Sequence, residues 1–118
     1  MEKSEMMEQI RKIETALSVE LQEVVVRYLL QREIKCEYLD YLDSADEWIE
    51  CHLTDEVGIY APGYVMIGSD GGDLRYLMKS GAGETMVYSA DVGDMNPENF
   101  ERMGTFDECL AKGFEFGD

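Results

Sequence analysis

The stretch from Tyr64 to Tyr76 reads Tyr-Val-Met-Ile-Gly-Ser-Asp-Gly-Gly-Asp-Leu-Arg-Tyr, and it decides the fold. Two short apolar runs, Val65–Ile67 and Leu74–Met78, have the composition of β-strands. The residues between them favour a tight turn, because they supply positive φ angles and local side-chain hydrogen bonds: Gly68, Asp70, Gly71 and Gly72. A phosphate-binding loop would continue into a helix, whereas a second strand follows here. The stretch therefore predicts a β-hairpin and no nucleotide site.

On the N-terminal side of the hairpin, the spacing of apolar residues predicts helices. The pattern runs through residues 6–17 and 21–29, and Ser18 is placed to cap the second helix. A run rich in tyrosine and leucine, Cys36–Leu42, predicts a strand. Ser44 with Glu47 forms a capping-box pattern. The helix that follows is expected to turn four residues inward: Ala45, Trp48, Ile49 and Leu53.

On the C-terminal side, Val57–Tyr60 is expected to be a short extended piece, and Thr85–Ala90 a third strand. Asn96 is placed to cap a short helix that starts with proline. Thr105 and Glu108 form a last capping box, and the helix after it is expected to pack three residues inward: Phe106, Cys109 and Leu110. The chain therefore predicts one α+β domain over residues 1–118. We expect a small, mostly antiparallel sheet with N-terminal amphipathic helices and a C-terminal helix packed around it.

Acidic residues dominate the charge of the chain, and they are unevenly distributed. The 118 residues include 26 Asp and Glu against 10 Lys and Arg, a formal net charge of −16. Residues 1–39 hold eight acidic and six basic side chains, whereas residues 40–118 hold eighteen acidic and four basic ones. Such a field repels nucleic acid and anionic membranes and attracts basic surfaces. The simpler interpretation is that the surplus carboxylates keep the protein soluble.

The thiols and the single histidine form no recognisable site. Cys36, Cys51 and Cys109 are odd in number and include no Cys-x-x-Cys pair, which favours reduced, structural thiols. His52 is next to Cys51, but neighbouring residues on a helix point about 100 degrees apart and rarely share a metal. We expect no catalytic residue, no metal site, no cofactor and no enzymatic activity. The chain has neither a membrane-spanning run nor the order of a signal peptide, which predicts a cytoplasmic protein.

The residues around the hairpin also carry a family resemblance. The stretch Pro62–Gly72, Pro-Gly-Tyr-Val-Met-Ile-Gly-Ser-Asp-Gly-Gly, resembles the central signature of the SUKH superfamily, bacterial immunity proteins and related fungal cell-wall regulators. Three further matches occur in the right order: an N-terminal amphipathic helix, the Ser44–Trp48 helix, and the closing Thr105–Leu110 helix. Leu17-Ser18 stands where relatives usually show Leu-Pro, and the Asn-Gly-Gly turn after the second helix is missing. The resemblance implies an immunity protein, which binds and blocks a toxin domain.

Charge indicates how such a protein would act. A nuclease active site is cationic because it holds phosphates, so an acidic face can cover it and exclude nucleic acid. The leading hypothesis is therefore a cytoplasmic immunity protein whose partner is a basic nuclease domain. The expected contact residues are carboxylates with two tyrosine anchors: Asp40, Tyr41, Asp43, Asp46, Glu47, Glu50, Tyr60, Asp70, Asp73, Asp91 and Asp94.

Two other functions stay open at this stage. One is a regulatory scaffold domain that recruits a cellular partner, as the resemblance to fungal regulators allows. The other is an acidic mimic of DNA, which predicts loose partner choice and carboxylates spaced like phosphates. In each case we expect no bound nucleic acid, no membrane contact, and a monomer or weak homodimer.

Overall fold

The computed structural model describes residues 3–31, 45–70 and 72–114, and it confirms the α+β prediction. The helices within these ranges are α1 (Lys3–Leu17), α2 (Glu23–Gln31), α3 (Ala45–Thr54), α4 (Val57–Tyr60) and α5 (Phe106–Ala111). The strands are β1 (Tyr64–Ser69), β2 (Leu74–Lys79), β3 (Met86–Asp91) and β4 (Glu101–Thr105), and a short 3₁₀ helix spans Pro97–Asn99. In the part of the chain described, no helix has both the length and the apolar character needed to cross a membrane.

The four strands form one antiparallel sheet in the order β1-β2-β3-β4. The predicted hairpin is confirmed: β1 pairs with β2, with a register shift between Met66 and Gly68. Its turn is closed by Asp70, whose Oδ1 accepts from the backbone N–H groups of Gly72 at 2.7 Å and Leu74 at 3.2 Å. The expectation of positive φ at Gly68 and Gly72 is wrong, because neither glycine adopts it. Gly71, which was expected to share this role, lies outside the described residues, and the Asp70 side chain holds the described part of the turn.

Most helices cover one face of the sheet, and the main core lies between them. The buried side chains of α1, α2, α3 and α5 pack there against Val65, Ile67, Tyr76, Met78 and Val87 of the first three strands. Phe106 contributes an aromatic contact to Tyr28, with ring centroids 5.8 Å apart. Phe106 and Cys109 are buried and Leu110 packs against the same cluster, so the predicted inward face of the last helix is confirmed.

The opposite face of the sheet carries a second, smaller core. Val57 and Ala61, at either end of α4, are buried there with residues from the strands and the loop after β3: Met66, Leu77, Ala90 and Met95. Tyr64 contacts the rings of Tyr88 and Phe100 at centroid distances of 5.7 and 5.1 Å. The sheet is therefore covered on both sides.

Helix α3 closes the edge of β1, which pairs with β2 alone among the described strands, through two side chains one turn apart. The Trp48 Nε1–H donates to the Met66 carbonyl oxygen at 2.6 Å, and the Met66 N–H donates to His52 Nδ1 at 3.5 Å. Trp48 is fully buried and His52 is 3% exposed. Trp48 is thus a core anchor, as the sequence predicts, and both main-chain groups of Met66 are satisfied by side chains.

Two predictions about helix boundaries are wrong. Val57–Tyr60 is helical rather than extended, because Glu56 takes a left-handed conformation with φ 54° and the chain then makes one turn that buries Val57 and Ala61. Ser18 does not cap α2. It has φ 55° and follows the last residue of α1, and the N–H of Val19 donates to the carbonyl oxygen of Glu14, a bond that closes a helix C-terminus.

The inward face of α3 and the fourth strand also differ from expectation. Leu53 was expected to face the core, but it is 61% exposed, and His52 occupies the buried position instead. Strand β4 was not predicted, because Glu101, Arg102 and Gly104 lack strand composition. The strand predicted at Cys36–Leu42 and the cap at Ser44 lie outside the described residues.

The last capping box is present as predicted. Thr105 Oγ1 accepts from the Glu108 N–H at 3.2 Å, and Glu108 Oε1 accepts from the Thr105 N–H at 2.9 Å. These bonds hold the pKa of Glu108 below its usual value. The cap on the 3₁₀ helix is also confirmed, because Asn96 Oδ1 accepts from the Glu98 N–H at 3.1 Å.

We expect Thr105→Ala to lower the free energy of unfolding by about 1 kcal/mol, because it removes an acceptor from the first turn of α5. Thr105→Ser keeps the acceptor and is expected to behave like the unmodified protein. Urea denaturation followed by circular dichroism measures both. An equal loss in the serine and alanine variants would mean that the threonine methyl group, and not the cap, stabilises this junction.

Candidate partner-binding surface

The antiparallel sheet brings several acidic turns to one of its ends. The β1–β2 turn and the loop after β3 meet there, because Leu74 pairs with Asp91 in the register and the Val92 N–H donates to the Asp73 carbonyl oxygen at 2.7 Å. Asp91 and Asp94 form an isolated bridge in the same loop. The turn between α3 and α4 is tied to this end by the ion pair between Asp55 and Arg75. We call this region the acidic end: Asp55, Glu56, Asp70, Asp73, Asp91 and Asp94.

Three of these carboxylates hold the turns in which they lie. Asp70 closes the hairpin, as described above. Asp91 Oδ1 accepts from the Gly93 N–H at 2.8 Å. Asp94 accepts from the Asn96 N–H at 3.3 Å and from the Asn99 side chain at 2.9 Å. Each therefore has an ordinary structural role, and its exposure leaves it able to contact a partner as well.

Glu56 and Asp73 differ from these three. Both are exposed, and within the described ranges neither carboxylate takes part in a hydrogen bond or an ion pair. Glu56 also occupies a left-handed conformation, which residues other than glycine, asparagine and aspartate rarely adopt. A carboxylate at these two positions therefore adds negative charge to the acidic end without stabilising a turn.

Arg75, a basic residue beside the acidic end, points inward. Arg75 Nε donates to Asp55 Oδ2 at 2.8 Å, and the two side chains are only 17% and 11% exposed. The guanidinium also donates to the carbonyl oxygen of Gly72 at 2.6 Å and to Ser69 Oγ at 3.2 Å. Its charge and donors are therefore used to tie the α3–α4 turn to the hairpin, and the outer carboxylates stay without a cation beside them in the part of the chain described.

A cleft of about 590 Å³ opens between the α3–α4 turn and the loop after β3. It is lined by polar and apolar groups from both segments: Thr54, Asp55, Glu56, Tyr60, Val92, Gly93, Asp94, Met95 and Asn96. Tyr60 is 59% exposed, so its ring forms part of the open wall. An aromatic face beside carboxylates suits the side chain of an arginine or lysine, which has an apolar stem and a cationic head.

The structure brings some of the predicted contact residues together and separates others. Tyr60, Asp70, Asp73, Asp91 and Asp94 all lie at the acidic end.

Asp46, Glu47 and Glu50 lie back along the exposed side of α3, and Asp46 is bound to Lys12 of α1 at 2.5 Å. The helical rise places Asp46 about 12 Å before the last residue of α3. Asp40, Tyr41 and Asp43 lie outside the described residues.

Sequence reasoning missed several residues of this end. The sequence pattern does not indicate Glu56, and it predicts a core position for Leu53. Ile59 and Leu74 also lie here and are exposed. The available signal was local: Val57 and Ala61 are spaced i and i+4, which suits one helical turn with Ile59 and Tyr60 on its outer side. In a segment of only four residues, this helical spacing is a weaker signal than the β-branched residues Val57 and Ile59, which favour a strand.

The two thiols in the described ranges, Cys51 and Cys109, show no sign of activation. Burial raises the pKa of Cys51, and the charges of Glu47 and Asp55 raise it further. Burial raises the pKa of Cys109 to about 11. Both thiols are free and stay protonated at neutral pH, which makes them poor nucleophiles and metal ligands. Among the described residues, no three His, Cys, Asp or Glu side chains lie close enough to hold a metal ion.

His52 links the stability of this fold to pH. Burial lowers the pKa of His52, and the nearby charge of Asp55 opposes that effect. The unfolded chain therefore binds a proton at a higher pH than the folded chain does. The contribution of His52 to the free energy of unfolding is complete above about pH 6.5 and is lost as the pH falls below that value.

We expect His52→Asn to reduce this pH dependence, because asparagine does not titrate and its side-chain oxygen can accept from the Met66 N–H in place of Nδ1. Urea denaturation at several values between about pH 6.5 and pH 5 gives the slope for each protein. The difference between the two slopes isolates His52 from the carboxylates, which both proteins share. Identical slopes would show that folding does not shift the pKa of His52.

A scan of the chain against protein-family models finds no match, and a search of curated protein sequences finds none either.

Proposed function

We propose that this protein is a cytoplasmic immunity protein that binds a toxin domain, of the basic nuclease class, through its acidic end. The observation that carries the proposal is the meeting of separate acidic turns at one end of the sheet, with the arginine there paired internally. The resemblance of Pro62–Gly72 to the SUKH signature supports the class of protein. Binding without catalysis is sufficient for this role, since a bound protein blocks the toxin by covering its active site.

The placement of charge supports partner binding over solubility alone. Carboxylates that only keep a protein soluble need no particular location. Here Glu56 and Asp73 are exposed at the same end as three turn aspartates, and no hydrogen bond or ion pair of the described chain uses their carboxylates. Like charges so gathered repel one another, and a cationic partner relieves that repulsion.

The test is capture of a partner from an extract of the native cell, run in parallel with the toxin candidate encoded beside this gene. The key variant, Glu56→Asn with Asp73→Asn, removes two negative charges from the acidic end. Asparagine also tolerates the left-handed conformation at position 56. The matched control, Glu23→Gln with Glu84→Gln, removes two charges at the opposite end, where the Glu23 N–H donates to the Ala82 carbonyl oxygen at 2.9 Å. Both variants change the formal net charge from −16 to −14.

We expect one basic protein to be retained in stoichiometric amount, to lose its nuclease activity on binding, and to bind the key variant more weakly than the control. Retention of many basic proteins alike, all released by moderate salt, would instead identify a mimic of DNA. Stoichiometric retention of a partner without toxic activity would identify a regulatory scaffold. Equal binding by the two variants would place the interface elsewhere on the surface.

A further inference from the structure

The exposed apolar side chains belong to segments that meet at the acidic end. Four large hydrophobic residues of the described chain are exposed: Leu53 at 61%, Ile59 at 72%, Tyr60 at 59% and Leu74 at 39%. Leu53 precedes the α3–α4 turn, Ile59 and Tyr60 lie on α4, and Leu74 follows the hairpin turn. We call these four residues the apolar set. Since the rest of the described surface has no large hydrophobic residue exposed to this degree, their position calls for a physical cause.

The fold itself does not require these side chains. Helix α3 already buries Ala45, Trp48 and His52, and α4 buries Val57. Leu53 and Ile59 therefore contribute little to either core, and polar residues would be accommodated there without loss of packing. Exposed apolar groups rimmed by polar ones are typical of surfaces that bind another protein.

Charge identifies the kind of partner. A second copy of this chain would place two sets of carboxylates against each other, with a formal net charge of −16 on each molecule. A basic surface avoids that repulsion. If it also presents apolar residues, it covers the apolar set and meets the carboxylates at the same time. An arginine or lysine of such a partner fits the cleft beside Tyr60, between Glu56 and Asp94.

We propose that the apolar set, together with Glu56 and Asp73, forms a docking surface for a basic, amphipathic segment of the partner protein. This inference rests on the proposed function and narrows it: the carboxylates attract the partner, and the apolar set holds it. The two groups of residues therefore act on different steps of binding, since charge affects association and buried apolar contact affects dissociation.

The test uses synthetic probes and needs no identified toxin. One probe is a short peptide of arginine, leucine and tyrosine, and the other is its counterpart in which every leucine and tyrosine is serine. Each is titrated into the isotope-labelled protein while its amide resonances are followed by NMR. We expect the amphipathic peptide to shift the amides of residues 53–60, 72–75 and 92–96 saturably. The serine peptide is expected to bind at least tenfold more weakly.

A variant of the protein makes the test specific to the apolar set. Leu53→Ser with Ile59→Ser changes two exposed residues, so the fold is expected to persist, which the amide spectrum itself reports. This variant is expected to lose the preference for the amphipathic peptide by about tenfold. Glu23→Gln with Glu84→Gln is the control, and it should keep the preference.

Three results would overturn the inference. Equal binding of both peptides, spread over the whole acidic surface, would leave charge as the sole attraction. Binding of neither peptide would exclude this partner chemistry. If the amide resonances of the apolar set shift with protein concentration in the absence of peptide, the surface binds a second copy of the chain instead. None of these bears on toxin neutralisation, which capture and nuclease inhibition measure separately.

Discussion

Replacing Trp48 by alanine is expected to lower the free energy of unfolding by about 3–5 kcal/mol, which is a large part of the total for a domain of this size. Trp48 is fully buried where α3 crosses β1, and its indole N–H satisfies the Met66 carbonyl oxygen. Alanine leaves a cavity in the main core and an unpaired carbonyl at the sheet edge. Both effects act on the contact that positions the α3–α4 turn.

Trp48→Phe separates these two effects. Phenylalanine keeps an aromatic ring in the core but has no N–H, so we expect a loss of about 1–3 kcal/mol from the unpaired Met66 carbonyl oxygen. Urea denaturation must be followed by circular dichroism, because this change removes the single tryptophan of the chain. Glu50→Ala, on the exposed side of the same helix, is the control and should change stability little. A loss below about 1 kcal/mol in Trp48→Ala would show that α3 does not depend on this anchor.

Reversing charge at the acidic end is expected to slow association with the proposed toxin domain by about tenfold to a hundredfold. The variant is Glu56→Lys with Asp73→Lys, two positions at which no carboxylate contact of the described fold is lost. Stopped-flow mixing or surface plasmon resonance gives the association and dissociation rates separately. We expect the change to fall on association, since the carboxylates attract the partner before contact.

The matched control is Glu23→Lys with Glu84→Lys at the opposite end, and each variant changes the formal net charge from −16 to −12. At physiological salt the screening length is about 8 Å, so only charges near the interface steer the partner. At about 0.01 M salt it is about 30 Å, which is comparable to the 37 × 30 × 25 Å extents of the molecule. The two variants should therefore differ strongly at physiological salt and less at low salt. Equal slowing at both salt concentrations would mean that total charge, and not the acidic end, attracts the partner.

The predictability of the fold depended on how local each signal was. The hairpin and the Thr105–Glu108 capping box were predicted correctly, because a few adjacent residues determine each of them. The fourth strand was missed because an edge strand is stabilised by its neighbour in the sheet, and its own charged residues indicate exposure. Helix α4 was misassigned because Val57 and Ala61 become buried only when the second core forms around them.

The sequence predicts which residues of the acidic end are turn carboxylates, but it does not predict that these turns lie together. Turn aspartates such as Asp70 and Asp91 can be identified from their glycine neighbours. That these turns meet at one end follows from strand order and register, which require long-range pairing. The inward rotation of Arg75 toward Asp55 joins residues 20 positions apart, and no sequence pattern marks that pair. The exposure of Leu53 was misjudged because helical spacing allowed either Leu53 or His52 to face inward.

The closure of β1 by Trp48 and His52 also limits how copies of this chain can aggregate. A sheet edge with unpaired main-chain groups is a template on which the strand of another molecule can add, and repeated addition leads to fibrils. At Met66 both groups are already taken, so this edge offers no such template at its centre. The other edge, β4, carries the charges of Glu101 and Arg102, which discourage the same event by a different route. Protonation of His52 would remove the acceptor for the Met66 N–H, so acid weakens this protection at β1.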